Sequence, residues 1–323
     1  MSKGEVLVTG GAGFVGREVV KQLLRRKYEV VVADRKEKKY SPSDKCIYLE
    51  FNLTDKKLAQ RAMRGVDYCL HLASESGGIG FTRRYPATIL SENNKINAAV
   101  FEAAAEENIK RIVYISSSMV FENAKKFPVR EKDLSSIPTP KTGYSFSKLM
   151  GERLCVSFWE EFGLEYAIVR PSNIYGTGSF LNNEEGFAHV IPDFTRRILS
   201  GNYPMEIYGD GQQTRCFIHV SDIATGIIAA MESPKGMNEN FNICATEETK
   251  VIDLARKLYD MCGSKKPFKT RHLKSFPDDV KRNYLSNKKA QKLLRWRPEK
   301  QFDYELEKIV KWVKRSIAVS GSV

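Results

Sequence analysis

Long apolar runs are missing from this chain. No stretch approaches the roughly 18 uninterrupted apolar residues that a membrane helix needs, so no membrane partner is expected. The opening Met1-Ser2-Lys3-Gly4-Glu5, followed at once by a strand-like run, lacks the layout of a secretory leader, and the expectation is a cytoplasmic protein. Cysteine is sparse and scattered. The six thiols (Cys46, Cys69, Cys155, Cys216, Cys244, Cys262) form no C-x-x-C pair and have no histidine at ligand spacing, so neither disulfides nor a metal site are expected. Internal repeats, low-complexity tracts and flexible linkers are also absent. Lys and Arg outnumber Asp and Glu, 52 to 39, for a net charge of +13, yet blocks of one sign are lacking. In Arg35-Lys36-Glu37-Lys38-Lys39 an acid interrupts the bases, and no long basic helix with interleaved aromatics occurs. Nucleic acid is therefore not the expected partner, and the surplus reads as a solvated surface with positive spots around phosphates. Retention on RNA or DNA that falls steeply with salt would restore the nucleic-acid reading. What remains is ample core material: 42% hydrophobic and 11% aromatic residues in 323 allow one large or two modest domains.

Val6-Leu7-Val8 is a short apolar run ending in Thr9-Gly10-Gly11-Ala12-Gly13-Phe14-Val15-Gly16, after which Val19, Val20, Leu23 and Leu24 recur at helical spacing. Strand, glycine turn and helix is the context in which a backbone can approach a pyrophosphate and present helix N–H groups to it. Gly10, Gly13, Phe14 and Val15 are the expected cofactor contacts of that turn. A second strand, Glu29 to Ala33, ends at Asp34, where a carboxylate accepts hydrogen bonds from ribose hydroxyls and repels a 2′-phosphate, favouring NAD over NADP. Arg35 beside it softens that preference. Strands near Cys46–Phe51 and Val66–Leu70 lead to Asn52-Leu53 and His71-Leu72-Ala73, so Asn52, Leu53, Leu72 and Ala73 are expected at the same sheet edge. Strands that alternate with helices imply an α/β fold, a Rossmann-type doubly wound parallel sheet with ligands at its carboxyl edge.

Arg111-Ile112-Val113-Tyr114-Ile115 reads as a buried strand that delivers Ser116, Ser117 and Ser118 to this edge, and Tyr144-Ser145-Phe146-Ser147-Lys148 follows. Residues four apart on a helix share a face, so the Tyr144 hydroxyl and the Lys148 ammonium can point into one cleft. The lysine charge stabilises a tyrosinate, which makes the phenol a usable general base. A neighbouring serine would hold the substrate hydroxyl in line.

In this order the residues resemble the extended short-chain dehydrogenase/reductase family of nucleotide-sugar epimerases and dehydratases. The resemblance covers nearly the whole chain: the T-G-x-x-G-x-x-G turn, Asp34, His71-Leu72-Ala73, the serine run ending in Val120-Phe121, and Tyr144/Lys148. It continues through Arg170-Pro171-Ser172-Asn173-Ile174-Tyr175-Gly176 and Tyr208-Gly209-Asp210-Gly211-Gln212-Gln213-Thr214-Arg215. It implies bound NAD as cofactor, a nucleotide-diphosphate sugar as substrate, Ser117 as catalytic serine, Tyr144 as base and Lys148 as its modulator. Asn173, Arg215 and Arg282 would contact the substrate diphosphate, with forked and neutral donors suited to it. Family dehydratases carry an Asp-Glu pair where this chain has Ser118-Met119, so a 4,6-dehydratase is disfavoured.

Within the family, Ser76-Gly77-Gly78-Ile79-Gly80 and His189-Val190-Ile191-Pro192 look like GDP-mannose 3,5-epimerase and GDP-fucose synthase. The glycines, Gly78 among them, would let backbone approach the sugar ring. His189 would move protons beside a transient 4-keto group. Those relatives have a cysteine where Met119 stands, and a thioether exchanges no proton. A nucleotide-sugar epimerase is the expected enzyme, with three forms open: a UDP-hexose C4-epimerase, a GDP-sugar C3/C5 epimerase using His189 with some other group, or a related reaction on an altered sugar. A non-catalytic NAD-binding sensor or scaffold is the alternative of another class, and the complete Ser/Tyr/Lys set argues against it.

Residues 1–170 are expected to form the NAD-binding domain, its sheet completed by a later segment near 212–232, and 171–323 mainly a substrate-binding lobe. Ser221-Asp222 is read as the cap of a helix running through Ile228, and a last helix, Tyr304 to Val313, as packing outside. Met150 to Phe162 carries an apolar arc too wide for one core stripe. The family pairs such a helix, with the one near Asn93 to Ala105, across a two-fold axis, which implies a homodimer.

Overall fold

The computed structural model describes residues 3–320 except 180, 183, 185, 277 and 278. The first half largely alternates strand and helix: β1 (Glu5–Thr9), α1 (Phe14–Arg25), β2 (Glu29–Asp34), β3 (Ile47–Glu50), α2 (Lys56–Met63), β4 (Tyr68–His71), α3 (Ile79–Arg84), α4 (Pro86–Glu106), β5 (Arg111–Ile115), α5 (Gly143–Phe162) and β6 (Tyr166–Pro171). The second half is less regular: β7 (Asn173–Tyr175), α6 (Val190–Leu199), β8 (Met205–Tyr208), β9 (Thr214–His219), α7 (Val220–Glu232), β10 (Glu239–Ile243) and β11 (Glu248–Lys250). It ends with α8 (Val251–Met261), β12 (Thr270–Leu273), β13 (Arg282–Asn283), α9 (Lys288–Leu294) and α10 (Phe302–Ser320).

Seven strands form one parallel sheet in the order β10-β6-β5-β4-β1-β2-β3. The order reverses between β1 and β4, and the crevice outside the carboxyl ends of the strands opens there. Each face of the sheet is buried by helices, which is why its strands read as nearly continuous apolar runs. One face packs α1, α7 and α9 through Val19, Val20, Leu23, Ile227 and Leu294. The other packs α2, α4 and α5 through Met63, Phe101 and Cys155. A separate core built from α6, α8 and α10, with Met205, Ile207 and Phe217, supports the second lobe. The apolar face of α10 (Leu306, Ile309, Val310, Val313) is buried there, while Tyr304 is exposed.

Two expectations need correction. The segment that completes the sheet is Glu239–Ile243, not 212–232: β10 pairs in parallel with β6, and 212–232 supplies β9 of a small second sheet and the covering helix α7. A parallel neighbour needs a crossover, and α7 is that crossover, so the strand must follow it. The cap of α7 is His219, whose Nδ1 accepts from the Ser221 amide, rather than Ser221 or Asp222. Asp222 instead accepts from the amides of Glu299 and Lys300 and ties down the chain before α10.

Candidate active site

A cleft of about 840 Å³ runs along the carboxyl edge of the sheet and continues under the second lobe. Gly10, Gly13, Phe14, Val15, Asp34, Asn52, Leu53, Leu72 and Ala73 line one end. Gly10 has φ +68 and lies so close to Leu72 and Ala73 that a Cβ would sit 2.9 Å from the Ala73 amide, so only glycine fits this turn. Gly13 caps α1 without a side chain, leaving the first-turn N–H groups available to an anion. Asp34, nearly buried at the end of β2, accepts from the Ala12 amide at 3.0 Å and the Lys36 amide at 3.0 Å, one on each oxygen. A carboxylate oxygen has a second lone pair, so both retain capacity for ribose hydroxyls. Arg35 pairs with Glu75 across this end. A dinucleotide therefore fits these residues by backbone clearance, helix polarity and carboxylate placement.

Behind this end lies a network that the sequence reading did not assign. Thr9 Oγ accepts from the amides of Leu72 and Ala73 at 3.1 Å each, which directs its own proton to His71 Nδ1 at 2.8 Å. His71 Nε2 then carries hydrogen and donates to Asn97 Oδ1 at 3.1 Å. Burial first, then the Lys148 charge, push this imidazole down to about 3, so it is neutral.

Tyr144 and Lys148 lie on the first turns of α5, which Thr142 caps by accepting from the Ser145 amide. Glu122 accepts from the Thr142 amide at 3.1 Å and the hydroxyls of Thr142 (2.9 Å) and Ser145 (2.7 Å), fixing the helix start. Burial raises the Tyr144 phenol and its hydrogen bond with Ser117 lowers it in opposition. Ser117 also accepts from the Met119 amide at 3.1 Å. Lys148 is buried under the cleft floor, between the Tyr114 and Tyr144 rings at 5.6 and 5.9 Å, and donates to the Ile115 carbonyl at 3.0 Å. Burial brings its ammonium down to about 8.

Ser118, Met119, Gly78, His189, Asn173 and Arg215 line the rest of the cleft. Ser118 accepts from Asn283 Nδ2 at 2.9 Å, a contact across 165 positions that sequence reasoning missed. His189 is the N-cap residue of α6 and faces the open cleft, yet enough protein surrounds it to hold its imidazole below the usual value. Gly78 serves a different approach from the one expected: its amide donates to the Phe187 carbonyl at 2.8 Å, and a Cβ would overlap the carbonyls of Gly186 and Ala188. The glycine loop thus packs on the backbone just before His189. Asn173 Oδ1 is buried and unpartnered. Arg215 is held by the Thr214 carbonyl (2.8 Å), the Val280 carbonyl (2.6 Å) and Asp279 (2.6 Å). Arg282 is not brought to the cleft: it is exposed, pairs with Glu248 and stacks on Phe127 and Tyr284, and its neighbour Asn283 faces inward instead. Adjacent residues of a strand point to opposite sides, so β13 can present one of the two to the cleft.

Among the described residues no helix is long and apolar enough to cross a membrane, and no cluster of His, Cys, Asp and Glu is arranged to hold a metal ion.

Three comparisons relate the chain to known proteins. A GDP-mannose 3,5-epimerase of Arabidopsis thaliana is 27% identical over 320 residues, 97% of this chain and 83% of that protein. A putative UDP-glucose 4-epimerase of Methanocaldococcus jannaschii is 30% identical over 317 residues, 96% of this chain and 99% of that protein. The crystal structure of a UDP-glucose 4-epimerase with UDP-glucose from Thermotoga maritima superposes with a TM-score of 0.86 at 28% identity, covering 97% of this chain and 99% of that one. The family profile described as "NAD dependent epimerase/dehydratase family" matches residues 6–244, and the chain belongs to that family.

Proposed function

We propose that this enzyme is an NAD-dependent nucleotide-sugar epimerase that works through a transient 4-keto sugar. The observation that carries the reading is the meeting of Ser117 and Tyr144 at the cleft floor, next to the glycine turn, with Lys148 buried beneath the Tyr144 ring. Bound NAD supplies the hydride acceptor and donor. The chain's own residues do the rest. Tyr144 takes the proton of the sugar hydroxyl and later returns it, and Ser117, already hydrogen-bonded to that phenol, orients the hydroxyl. Lys148 favours the tyrosinate from beneath through its charge. Gly10, Gly13, Asp34, Asn52, Leu53, Leu72 and Ala73 would hold the dinucleotide, and Asn173 and Arg215 the diphosphate of the substrate.

Elimination to a dehydrated sugar lacks support, because Ser118 and Met119 stand where an acid pair would be needed, and Ser118 is already engaged by Asn283. Two epimerisations remain. His189, open to the cleft and held below its usual pKa, is neutral at pH 7 and suited to accept a proton from a carbon beside the ketone. That supports inversion at C3 or C5; C4 inversion needs only Tyr144 and rotation of the sugar.

The deciding experiment incubates the protein with UDP-, GDP-, CDP- and dTDP-sugars in heavy water and reads products by NMR. Deuterium at C3 or C5 that disappears in His189→Ala supports the histidine's role. C4 inversion without deuterium in the wild type removes it. No product from any sugar, with NAD retained, favours a sensor or scaffold.

We further propose a cytoplasmic homodimer. Phe146, Met150, Trp159 and Phe162 of α5, which packs on α4, stay exposed at 37–57%, and large apolar side chains on that helix pair favour a partner surface.

A further inference from the structure

On α5, Tyr144, Lys148 and Glu152 follow at four-residue steps and share one face. The end of β5 meets them residue by residue. Ser117 bonds Tyr144, the Ile115 carbonyl accepts from Lys148, and Ser116 Oγ donates to Glu152 Oε1 at 2.5 Å. Behind the third contact stands Arg170 of β6. Its Nε and Nη2 each donate to Glu152, on different oxygens, at 2.7 Å, its Nη1 donates to Asn240 Oδ1 of β10 at 2.9 Å, and its Cζ lies over the Phe121 ring, 5.1 Å from the ring centre. Both side chains are almost fully buried, at 3% and 5% exposure.

A buried ion pair is a weak source of stability, because desolvating both charges offsets their attraction and well-packed apolar residues would serve as well. Its geometry suggests another use. Three neighbouring strands and α5 are pinned to one another at the residue next to Ser117. The pair also places an anion and a cation, mutually balanced, one helical turn behind Lys148.

We infer that Glu152 and Arg170 are positioning residues for proton transfer. They hold Ser116, and through it Ser117, against Tyr144, and each of their charges cancels the other's effect on the pH at which the Tyr144 and Lys148 pair ionises. The inference rests on Tyr144 being the base. The other titratable groups around that pair are His71 on β4, Tyr114 on β5, and Lys141, Glu122 and His189 at the cleft rim.

The test uses the full chain with NAD bound and the pH profile of kcat/KM. Glu152→Gln leaves an uncompensated cation behind Lys148, so the Tyr144 ionisation moves to lower pH. Arg170→Met leaves an uncompensated anion and moves it to higher pH, each by about 0.5 unit or more. Both lower kcat roughly 10- to 100-fold with KM for the nucleotide sugar nearly unchanged, as expected for misplacement rather than lost binding. Ser116→Ala, which keeps both charges, lowers kcat without moving the profile. Should either charge variant fail to fold, the double variant Glu152→Met with Arg170→Met removes both charges together and is read by kcat, which falls as in the single variants with the ionisation at its wild-type pH; an unchanged kcat there overturns the positioning role. For the single variants the profile decides. Shifts in the same direction, or none, overturn the inference and leave packing as the only role. Activity retained in Tyr144→Phe would instead defeat the underlying assignment of the base, so the two failures are distinct.

Discussion

At the β1–β2 end of the cleft the lining comes from strand ends that follow one another along the chain, whereas the far end is assembled from Asn173, Arg215 and Asn283, which lie on three separate strands of the second lobe. The first end is held by backbone. Gly10 touches Ala73, Asp34 holds two amides, and Thr9 holds two more. The second end is held by charge: Arg215 with Asp279, Arg197 with Glu206, Arg282 with Glu248. Backbone contacts leave the first end little freedom to change shape. Side-chain ion pairs can be changed one at a time without disturbing a strand, which suits the end where relatives differ in their nucleotide sugar.

The largest test of this contrast falls where the two ends meet. Tyr144→Phe removes the only proposed proton carrier for the sugar hydroxyl, and turnover should fall by about 10² to 10⁴ or more. Nucleotide-sugar affinity, measured by calorimetry, should stay within about 2-fold, because the phenol contributes little to ground-state binding. Next in size is Arg215→Met. Its guanidinium is pre-set by two carbonyls and Asp279, so losing it should weaken nucleotide-sugar binding about 10- to 100-fold while NAD retention is unchanged. Loss of NAD in that variant would show that the two ends are not separable.

A smaller effect separates the ends by pH. His71 is neutral and buried in the folded chain, with its pKa lowered from 6.5 to about 3. Below pH 6.5 the unfolded chain takes up a proton that the folded chain refuses, so stability is present above that pH and lost as pH falls toward 3. The loss is on the order of a few kcal/mol at its fullest. Urea unfolding at pH 7 and pH 4.5 should show it, and His71→Asn should flatten the slope. An unchanged slope would place the acid sensitivity elsewhere.

What could be read from the sequence divides along the same line. The glycine turn, Asp34 and Tyr144/Lys148 were legible because each depends on local spacing: a strand, a turn, and two residues on one helical face. Even the Glu152 contact was within reach, being one more step of four. Arg170 was not, since its partner is set by how β6 lies beside α5. Nor could spacing reveal that β10 rather than 212–232 closes the sheet, because a strand's neighbour is decided by the crossover that precedes it. Gly78 lines the cleft, but what crowds it lay beyond the reach of spacing: the carbonyls of Gly186 and Ala188, over a hundred positions away. Arg282 was one position off, and in a strand one position reverses the face.

Arg282 therefore gives the smallest effect and the sharpest control. It shares a short strand with Asn283, carries the same charge as Arg215, and stands at the substrate end by sequence, yet its guanidinium faces solvent against Glu248, Phe127 and Tyr284. An exposed pair of this kind contributes roughly 0 to 1 kcal/mol. Arg282→Ala should leave kcat and KM for the nucleotide sugar within about 2-fold, where Arg215→Met loses affinity by more than that. If instead Arg282→Ala weakens nucleotide-sugar binding as strongly as Arg215→Met, the guanidinium must swing inward when substrate binds. The far end of the cleft would then be completed by its ligand, in contrast to the backbone-built end, whose shape is already set before any ligand arrives.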